Sequence, residues 1–210
     1  FEQQEDVFYY LTVMNENYAH PAMPDGVEEG IIKGMYLFKQ ADDADKPRVQ
    51  LLGAGTIFNE VIAAADLLKE DWGVESDLWS CTSFTELARE GQACERENRL
   101  HPTKKKQVPY VSQCLNEQKG PVIASTDYVR LLADSIRPFI RKHYSVLGTD
   151  GFGRSDTREN LRRFFEVDRY YVTITALNAL ADTGEIKASV VQQAIEKYGI
   201  DVSREAPWLV

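Results

Sequence analysis

Short apolar runs alternate with longer stretches of helical periodicity along most of the chain. The runs at 48–53, 77–83, 121–125 and 144–148 have the length of strands. Each is followed by a stretch in which apolar residues recur every three or four positions, as on the buried face of a helix. Apolar strands that alternate with helices are typical of a mostly parallel sheet covered on both faces. The pattern therefore predicts an α/β domain with three layers.

Several of the predicted helices have recognisable ends. Thr56 can cap the helix that follows the first strand, and Gly73 ends it. Ser83, with Glu86 three residues later, forms a capping-box pattern for a helix from 84 to about 98. The other predicted helices lie at 108–116, from Asp127 to Ile140, from about 156, at 169–182 and at 188–198, the last ending at Gly199.

The first 47 residues lack this regular order. A run rich in β-branched and aromatic residues at 7–14 predicts a strand. The segment 15–26 contains two prolines and a glycine with almost no periodicity, and a second polar stretch at 41–47 ends in proline. We therefore predict a connector that runs to residue 47, and a domain boundary at residue 48.

Composition and charge exclude some classes of protein. About 43% of the residues are hydrophobic and 27% are charged, which is typical of a globular protein. The formal net charge of −9 disfavours nucleic acid as a partner, because a phosphate backbone requires a basic surface. No apolar run approaches the roughly 18–20 residues that cross a bilayer, so we expect no membrane partner.

The cysteines and the first residue bear on cellular location. The three cysteines are an odd number and include no CxxC pair, which favours reduced thiols and a cytoplasmic protein. We expect Cys81, Cys94 and Cys114 to be inert. The chain begins with Phe1 rather than Met, and we expect it to be a piece of a longer protein.

The segment GTDGFGRS at 148–155 is the strongest candidate for ligand chemistry. It follows a strand, precedes a helix and differs from the phosphate-binding pattern GxxxxGK[ST] by having Arg154 in place of lysine. Arginine is a planar fork rather than a point charge, and Asp150 adds a negative charge where a phosphate would bind. One hypothesis is a self-contained phosphate- or nucleotide-binding module. The alternative is a tight glycine turn that lets the next helix pack closely.

Other familiar sites are incomplete. The GAG at 53–55 lacks the third glycine of a dinucleotide fingerprint, because Phe58 occupies that position. His20, His101 and His143 have no His or Cys neighbour at ligand spacing, so no metal site is predicted. We find no nucleophile and base pair, and the residues alone therefore predict no catalytic, cofactor-binding or metal-binding site.

Four arginines lie close together after the glycine-rich loop. Arg154, Arg158 and Arg162 are four residues apart, and Arg163 is adjacent to the last of them. On a helix that spacing places the first three along one face. This face is a candidate contact surface for an acidic partner or a neighbouring subunit. The alternative is a solvated face whose charge is offset by Asp156, Glu159 and Glu166.

Longer stretches carry a family resemblance. They are VMNENY (13–18), QLLGAGTI (50–57), SFTELAREGQ (83–92), NRLHP (98–102), ASTDY (124–128) and GTDGFGRSDTRENLRRFFEVD (148–168). In this order they resemble the C-terminal end of the bacterial homodimeric pyruvate dehydrogenases, and the resemblance covers essentially the whole chain. A shorter pattern, a strand ending in GxDxFGxS, is similar to the last domain of transketolases.

The resemblance implies a domain organisation. Residues 1–18 would be the tail of a pyrimidine-binding domain, 19–47 a connector, and 48–210 a C-terminal α/β domain. That domain would have a sheet of mainly parallel strands with one reversed, like the C-terminal domain of transketolases.

The resemblance also implies a function for the longer protein. The family decarboxylates pyruvate with thiamine diphosphate and Mg²⁺, and transfers the acetyl unit to a lipoyl group on the dihydrolipoyl acetyltransferase component, which links glycolysis to acetyl-CoA. The cofactor would bind between the two preceding domains, so none is expected in this chain. Its expected role is non-catalytic dimerisation and assembly, with the other domains, a second subunit and the acetyltransferase component as partners.

Overall fold

The computed structural model describes residues 2–8 and 17–210 of the chain. Val7 and Phe8 lie in irregular chain. The rest of the strand predicted at 7–14 lies outside the described residues.

The described residues form a mixed sheet of five strands. In chain order they are β1 (Met35–Lys39), β2 (Arg48–Gly53), β3 (Glu75–Cys81), β4 (Val122–Ser125) and β5 (Tyr144–Leu147). They lie side by side in the order β1-β3-β2-β4-β5. Strand β1 is antiparallel to β3, and the other neighbouring pairs are parallel. The expected sheet with one reversed strand is confirmed.

Strand β1 corrects the prediction of a connector over 19–47. Residues 35–39 belong to the sheet, with Met35 opposite Cys81 and fully buried. The helix α1 (Glu28–Lys33) precedes this strand and ends at Gly34, whose φ of 103° closes the turn between them. Strand β1 is not predicted from the sequence because its partner strand is 40 residues away and its apolar run is only four residues long. The α/β domain therefore begins before residue 48.

Helices connect the parallel strands, and further helices follow the last strand, β5. They are α2 (Phe58–Trp72), α3 (Phe84–Leu100), α4 (Tyr110–Leu115), α5 (Arg130–Asp134), α6 (Arg158–Phe164), α7 (Arg169–Asp182) and α8 (Ala188–Lys197). Helix α7 occupies the predicted range, and the Ser83 hydroxyl accepts the N–H of Glu86 at 3.1 Å as the capping pattern predicts. The prediction that Thr56 caps α2 was wrong. It lies in a 3₁₀ turn (Gly55–Ile57), and α2 begins without a side-chain cap.

The helix predicted from Asp127 to Ile140 is also interrupted. Only α5 and a 3₁₀ turn (Arg137–Phe139) form in that segment. Pro138 explains the break, because a proline ring clashes with the carbonyl group four residues earlier in a helix. That carbonyl belongs to Asp134, where α5 ends.

The core has one layer on each face of the sheet. Along β2 and β4, Leu51 and Ile123 face α2, α7 and α8, whereas Leu52 and Ala124 face α3, α4 and α5. Successive residues of a strand point to opposite faces, so runs of consecutive apolar residues bury both. The predicted three-layer α/β architecture is confirmed.

The topology places a divergence at the centre of the sheet. Strand β2 leads through α2 to β3 on one side, whereas β4 lies on its other side and leads to β5. In open α/β sheets, a crevice forms at the carboxyl ends of strands where the connections diverge in this way. A ligand-binding site is therefore expected at the carboxyl ends of β2 and β4.

Candidate functional site

A cleft of about 310 Å³ lies at this divergence, and we call it the switch cleft. The loops that follow β2, β4 and β5 form one side, and α6 forms the other. Its polar lining includes Thr56, Asp127, Thr149, Arg154 and Arg158.

The glycine-rich loop at 148–155 is fastened to the loop that follows β4. The backbone N–H of Thr149 donates to the carbonyl of Tyr128 at 2.9 Å, and its hydroxyl donates to the carbonyl of Asp127 at 2.6 Å. Asp150 accepts the backbone N–H of Arg130 at 3.1 Å and forms an ion pair with its guanidinium group. A β-carbon at Gly148 would lie 2.7 Å from the Tyr128 carbonyl oxygen. Close packing therefore requires glycine there.

This geometry differs from that of a phosphate-binding loop. In that motif the lysine opens a helix whose free N–H groups contact the phosphate. Here Arg154 lies four residues before α6, and its guanidinium carbon lies 4.2 Å from the centre of the Phe164 ring. The hydroxyl of Thr157 already caps α6 by accepting the N–H of Asn160 at 3.3 Å. The loop thus supports the interpretation as a tight turn rather than the phosphate-binding hypothesis.

The four arginines of the predicted contact surface do not form one helix face. Arg154 precedes α6, and both Arg154 and Arg158 line the switch cleft. Arg162 is bound to Glu60 at 3.0 Å and to the Tyr18 hydroxyl at 3.3 Å. Arg162 and Arg163 are therefore held within the fold, whereas Arg154 and Arg158 line the switch cleft.

Arg163 links the start of α7 to the end of α8. It forms an ion pair with Asp168 at 3.3 Å and donates to the carbonyls of Tyr198 and Gly199 at 2.9 and 3.1 Å. Asp168 in turn accepts the backbone N–H groups of Tyr170 and Tyr171 and caps α7. Burial raises the pKa of Asp168 although these N–H groups and Arg163 favour its charged form.

A second buried carboxylate, Glu60, was not singled out in the sequence analysis. It is 5% exposed on the inner face of α2 and binds both Arg162 and Arg169. Burial alone would raise the pKa of Glu60, but the hydrogen bonds and charge of Arg169, with the charge of Arg162, lower it. The spacing indicates that Glu60 is buried, because it lies three residues after Ile57 and four before Ala64 on the apolar stripe of α2.

The cysteines are buried to different extents. Burial raises the pKa of Cys81 far above its usual range. Burial and the hydrogen bond to Glu90 raise the pKa of Cys94 to about 11, and burial raises that of Cys114. A thiol with a raised pKa forms little of the reactive thiolate at neutral pH. The interpretation of these groups as inert thiols is supported.

The described residues do not fit Mg²⁺ and a diphosphate group. Within residues 2–8 and 17–210, no three His, Cys, Asp or Glu side chains are grouped so as to hold a metal ion. The glycine-rich loop carries Asp150, which forms an ion pair with Arg130.

Among the helices of the described residues, none has the length and apolar character of a membrane span.

A second cleft, of about 430 Å³, lies at the same edge of the sheet, and we call it the entry cleft. The N-terminal segment from Tyr18 to Pro21 forms one wall. Gly55, Asp127 and Tyr128 line the cleft with it. The chain therefore enters the domain at the carboxyl ends of the parallel strands.

Comparisons with known proteins agree with this architecture. The family model of the transketolase-like C-terminal domain matches residues 34–168, which begin one residue before β1. A crystal structure of transketolase from Campylobacter jejuni is 17% identical, with a TM-score of 0.47 over 76% of this chain and 20% of that chain, which is too distant to add to the family match.

Curated relatives are much more similar in sequence. A pyruvate dehydrogenase E1 component from Cupriavidus necator is 64% identical over 211 residues, which cover 100% of this chain and 24% of the relative. Those from Pseudomonas aeruginosa and Escherichia coli K12 are 58% and 53% identical, over 98% and 99% of this chain and 24% and 23% of the relatives. The chain spans about a quarter of the length of the relatives it matches.

Proposed function

The chain belongs to the family of transketolase-like C-terminal domains, and on this premise we propose that it is the C-terminal domain of a pyruvate dehydrogenase E1 component. The observation that carries the proposal is the 64% identity to the Cupriavidus necator E1 component over the whole chain. The likeness extends from the first segment to the last, and so includes residues outside the family match.

We propose the following activity for the longer protein. It decarboxylates pyruvate with thiamine diphosphate and Mg²⁺, and passes the acetyl unit to the lipoyl group of a dihydrolipoyl acetyltransferase component. It acts as a cytoplasmic homodimer within a multienzyme complex. The thiamine cofactor carries the difficult chemistry, and the cofactor and its ligands belong to the part of the protein outside these 210 residues.

The role proposed for this chain is assembly rather than catalysis. Three carboxylates and the three cysteines in the described residues are held within the fold. Glu60 forms an ion pair with Arg162, and Asp168 forms one with Arg163. Asp150 forms an ion pair with Arg130. The cysteine thiols have raised pKa values. These contacts support a domain that stabilises and positions the catalytic domains.

We also propose that residues 1–18 are the tail of the preceding domain. Phe8 is 91% exposed and Val7 is 52% exposed, so neither side chain is buried against the described part of this chain. The arginines Arg154 and Arg158 at the switch cleft remain the candidates for contact with another subunit.

The experiment uses the full-length protein from the same source. We expect CO₂ release from pyruvate that depends on both thiamine diphosphate and Mg²⁺. Absence of this activity from a folded preparation would contradict the assignment.

A second measurement separates the assembly role from a binding role of the glycine-rich loop. In the full-length protein, Arg154→Ala is expected to leave the Kd for thiamine diphosphate within about twofold of the parent. The matched control is Arg141→Ala, which removes an exposed arginine at the opposite edge of the sheet. A tenfold weaker Kd in Arg154→Ala alone would place the loop in the cofactor site and contradict the non-catalytic role.

A further inference from the structure

Exposed apolar side chains from three separate segments gather at the carboxyl edge of the sheet. We call this surface the edge patch. Its members and their exposed fractions are Tyr128 (56%), Val129 (47%), Leu131 (74%), Phe152 (83%), Trp208 (48%) and Leu209 (72%). Isolated apolar residues are common on protein surfaces, but a contiguous group marks an interaction site.

The three segments are fixed to one another. The loop after β4 is bound to the glycine-rich loop through the Thr149 N–H and the Tyr128 carbonyl. Arg130, at the start of α5, forms an ion pair with Asp150 of the glycine-rich loop. Its guanidinium carbon also lies 4.4 Å from the centre of the ring of Trp208, in the C-terminal segment. At Gly151 the glycine-rich loop also approaches the 3₁₀ turn Pro207–Leu209 so closely that a β-carbon would lie 2.7 Å from the Pro207 carbonyl. These contacts hold the three segments that carry the edge patch in one fixed arrangement.

The position of the N-terminal segment indicates what covers this surface. Tyr18 to Pro21 run along the entry cleft, which Tyr128 of the edge patch also lines. The relatives are about four times as long as this chain. The segment through which the chain enters the domain therefore lies beside Tyr128, at one side of the edge patch.

We propose that the preceding domain of the same polypeptide, whose tail is residues 1–18, packs against the edge patch. This inference rests on the proposed function, because it takes the chain to be part of a longer E1 component. A domain attached through a short segment has an effective concentration in the millimolar range, which favours it over a separate copy at micromolar concentration. The exposed Phe8 lies in the tail of that preceding domain.

The test measures the accessibility of the edge patch in the full-length protein. Single cysteines are introduced as Leu131→Cys and Phe152→Cys, and maleimide labelling of each is followed by mass spectrometry of the peptides. The controls are Ile32→Cys and Leu100→Cys, at side chains that are 78% and 51% exposed on α1 and at the end of α3. All four positions are exposed within this domain, so none is expected to disturb its core.

We expect both edge-patch cysteines to be labelled at least tenfold more slowly than both controls, at every protein concentration. Equal labelling rates would overturn the proposal. Protection that disappears when the protein is diluted until it is monomeric would also overturn it, because the occupant would then be a second copy of the chain.

The assay of pyruvate decarboxylation separates this proposal from the proposed function. Activity together with unprotected cysteines would contradict the edge-patch interface alone. Protected cysteines in a protein without the activity would contradict the enzyme assignment and leave the interface in place.

Discussion

Arg169 binds Glu60 through three hydrogen bonds across 109 positions of the sequence. Its backbone N–H and its Nε both donate to Oε2 of the carboxylate at 3.0 Å, and its Nη2 donates to Oε1 at 3.2 Å. The start of α7 is thereby locked to the start of α2, on one face of the sheet. The carboxylate is nearly inaccessible to water, whereas the Arg169 side chain is 43% exposed.

Replacing Glu60 should destabilise the domain strongly. Removal of one partner from a buried ion pair costs about 3–5 kcal/mol, and the exposure of Arg169 favours the lower end of that range. We expect Glu60→Ala to reduce the free energy of unfolding in urea by about 3 kcal/mol. The control Glu159→Ala, at an exposed position of α6, should change it by less than about 0.5 kcal/mol. A similar small effect of both variants would contradict a structural role for Glu60.

The same carboxylate should contribute to acid sensitivity. Its pKa in the folded state is lowered below the ordinary value of 4.5, so its stabilising contribution is present above that value and is lost as the pH falls through the folded-state pKa. Glu60→Gln cannot titrate. We therefore expect its free energy of unfolding to fall less steeply than that of the parent between pH 5 and the acid transition. Urea titrations at several pH values measure the two slopes, and equal slopes would contradict the prediction.

Asp168 should act mainly as a helix cap rather than as a charge. Loss of a capping side chain costs about 0.5–2 kcal/mol, and asparagine caps helices as well as aspartate does. Because burial raises the pKa of Asp168, its negative charge is not favoured at this position. We expect Asp168→Ala to lower the free energy of unfolding by about 1–2 kcal/mol and Asp168→Asn to recover most of that loss. Equal losses in the two variants would indicate that the ion pair with Arg163 dominates.

The attachment of the glycine-rich loop can be tested at two glycines. A β-carbon at Gly148 would lie within 3 Å of backbone atoms of Tyr128 and Arg130, whereas a β-carbon at Gly153 would meet nothing within 4 Å. We expect Gly148→Ala to lower stability by about 1–3 kcal/mol because the backbone must shift. Gly153→Ala should change the Tm little. A neutral Gly148→Ala would contradict the close packing of the loop.

The cysteines should differ in reactivity in the native protein. Cys81 and Cys94 are buried, whereas Cys114 is only partly buried. At pH 8 we expect a thiol reagent to modify Cys114 first, and Cys81 and Cys94 only as fast as the protein opens. In urea all three should react at similar rates. Rapid modification of native Cys81 would contradict its burial in the core.

Features set by neighbouring residues were predictable from the sequence. Helix α7 and the Ser83 cap depend on local spacing, and both were predicted correctly. Apolar periodicity alone predicts a helix that continues to Ile140, whereas Pro138 limits α5 to a last residue at Asp134.

Features that depend on distant partners were not predictable in this way. Strand β1 is recognisable only once β3 is placed beside it, and the sequence gives no indication that these segments meet. Similarly, the four-residue spacing of Arg154, Arg158 and Arg162 predicts a contact face. Arg162 and the adjacent Arg163 instead bind Glu60 and Tyr198, which lie 102 and 35 positions away. A surface predicted from helical spacing therefore became, in part, an internal network of ion pairs.

The central position of β2 has a consequence for synthesis of the chain. About 70 residues separate the end of β2 from the start of β4, and β4 is the strand that covers one of its edges. At about 5–20 residues per second, the ribosome needs roughly 3–14 s to add them. During that interval the apolar strand presents unpaired N–H and C=O groups, which can pair with another nascent chain. Chaperone protection should therefore matter most before residue 122 has emerged.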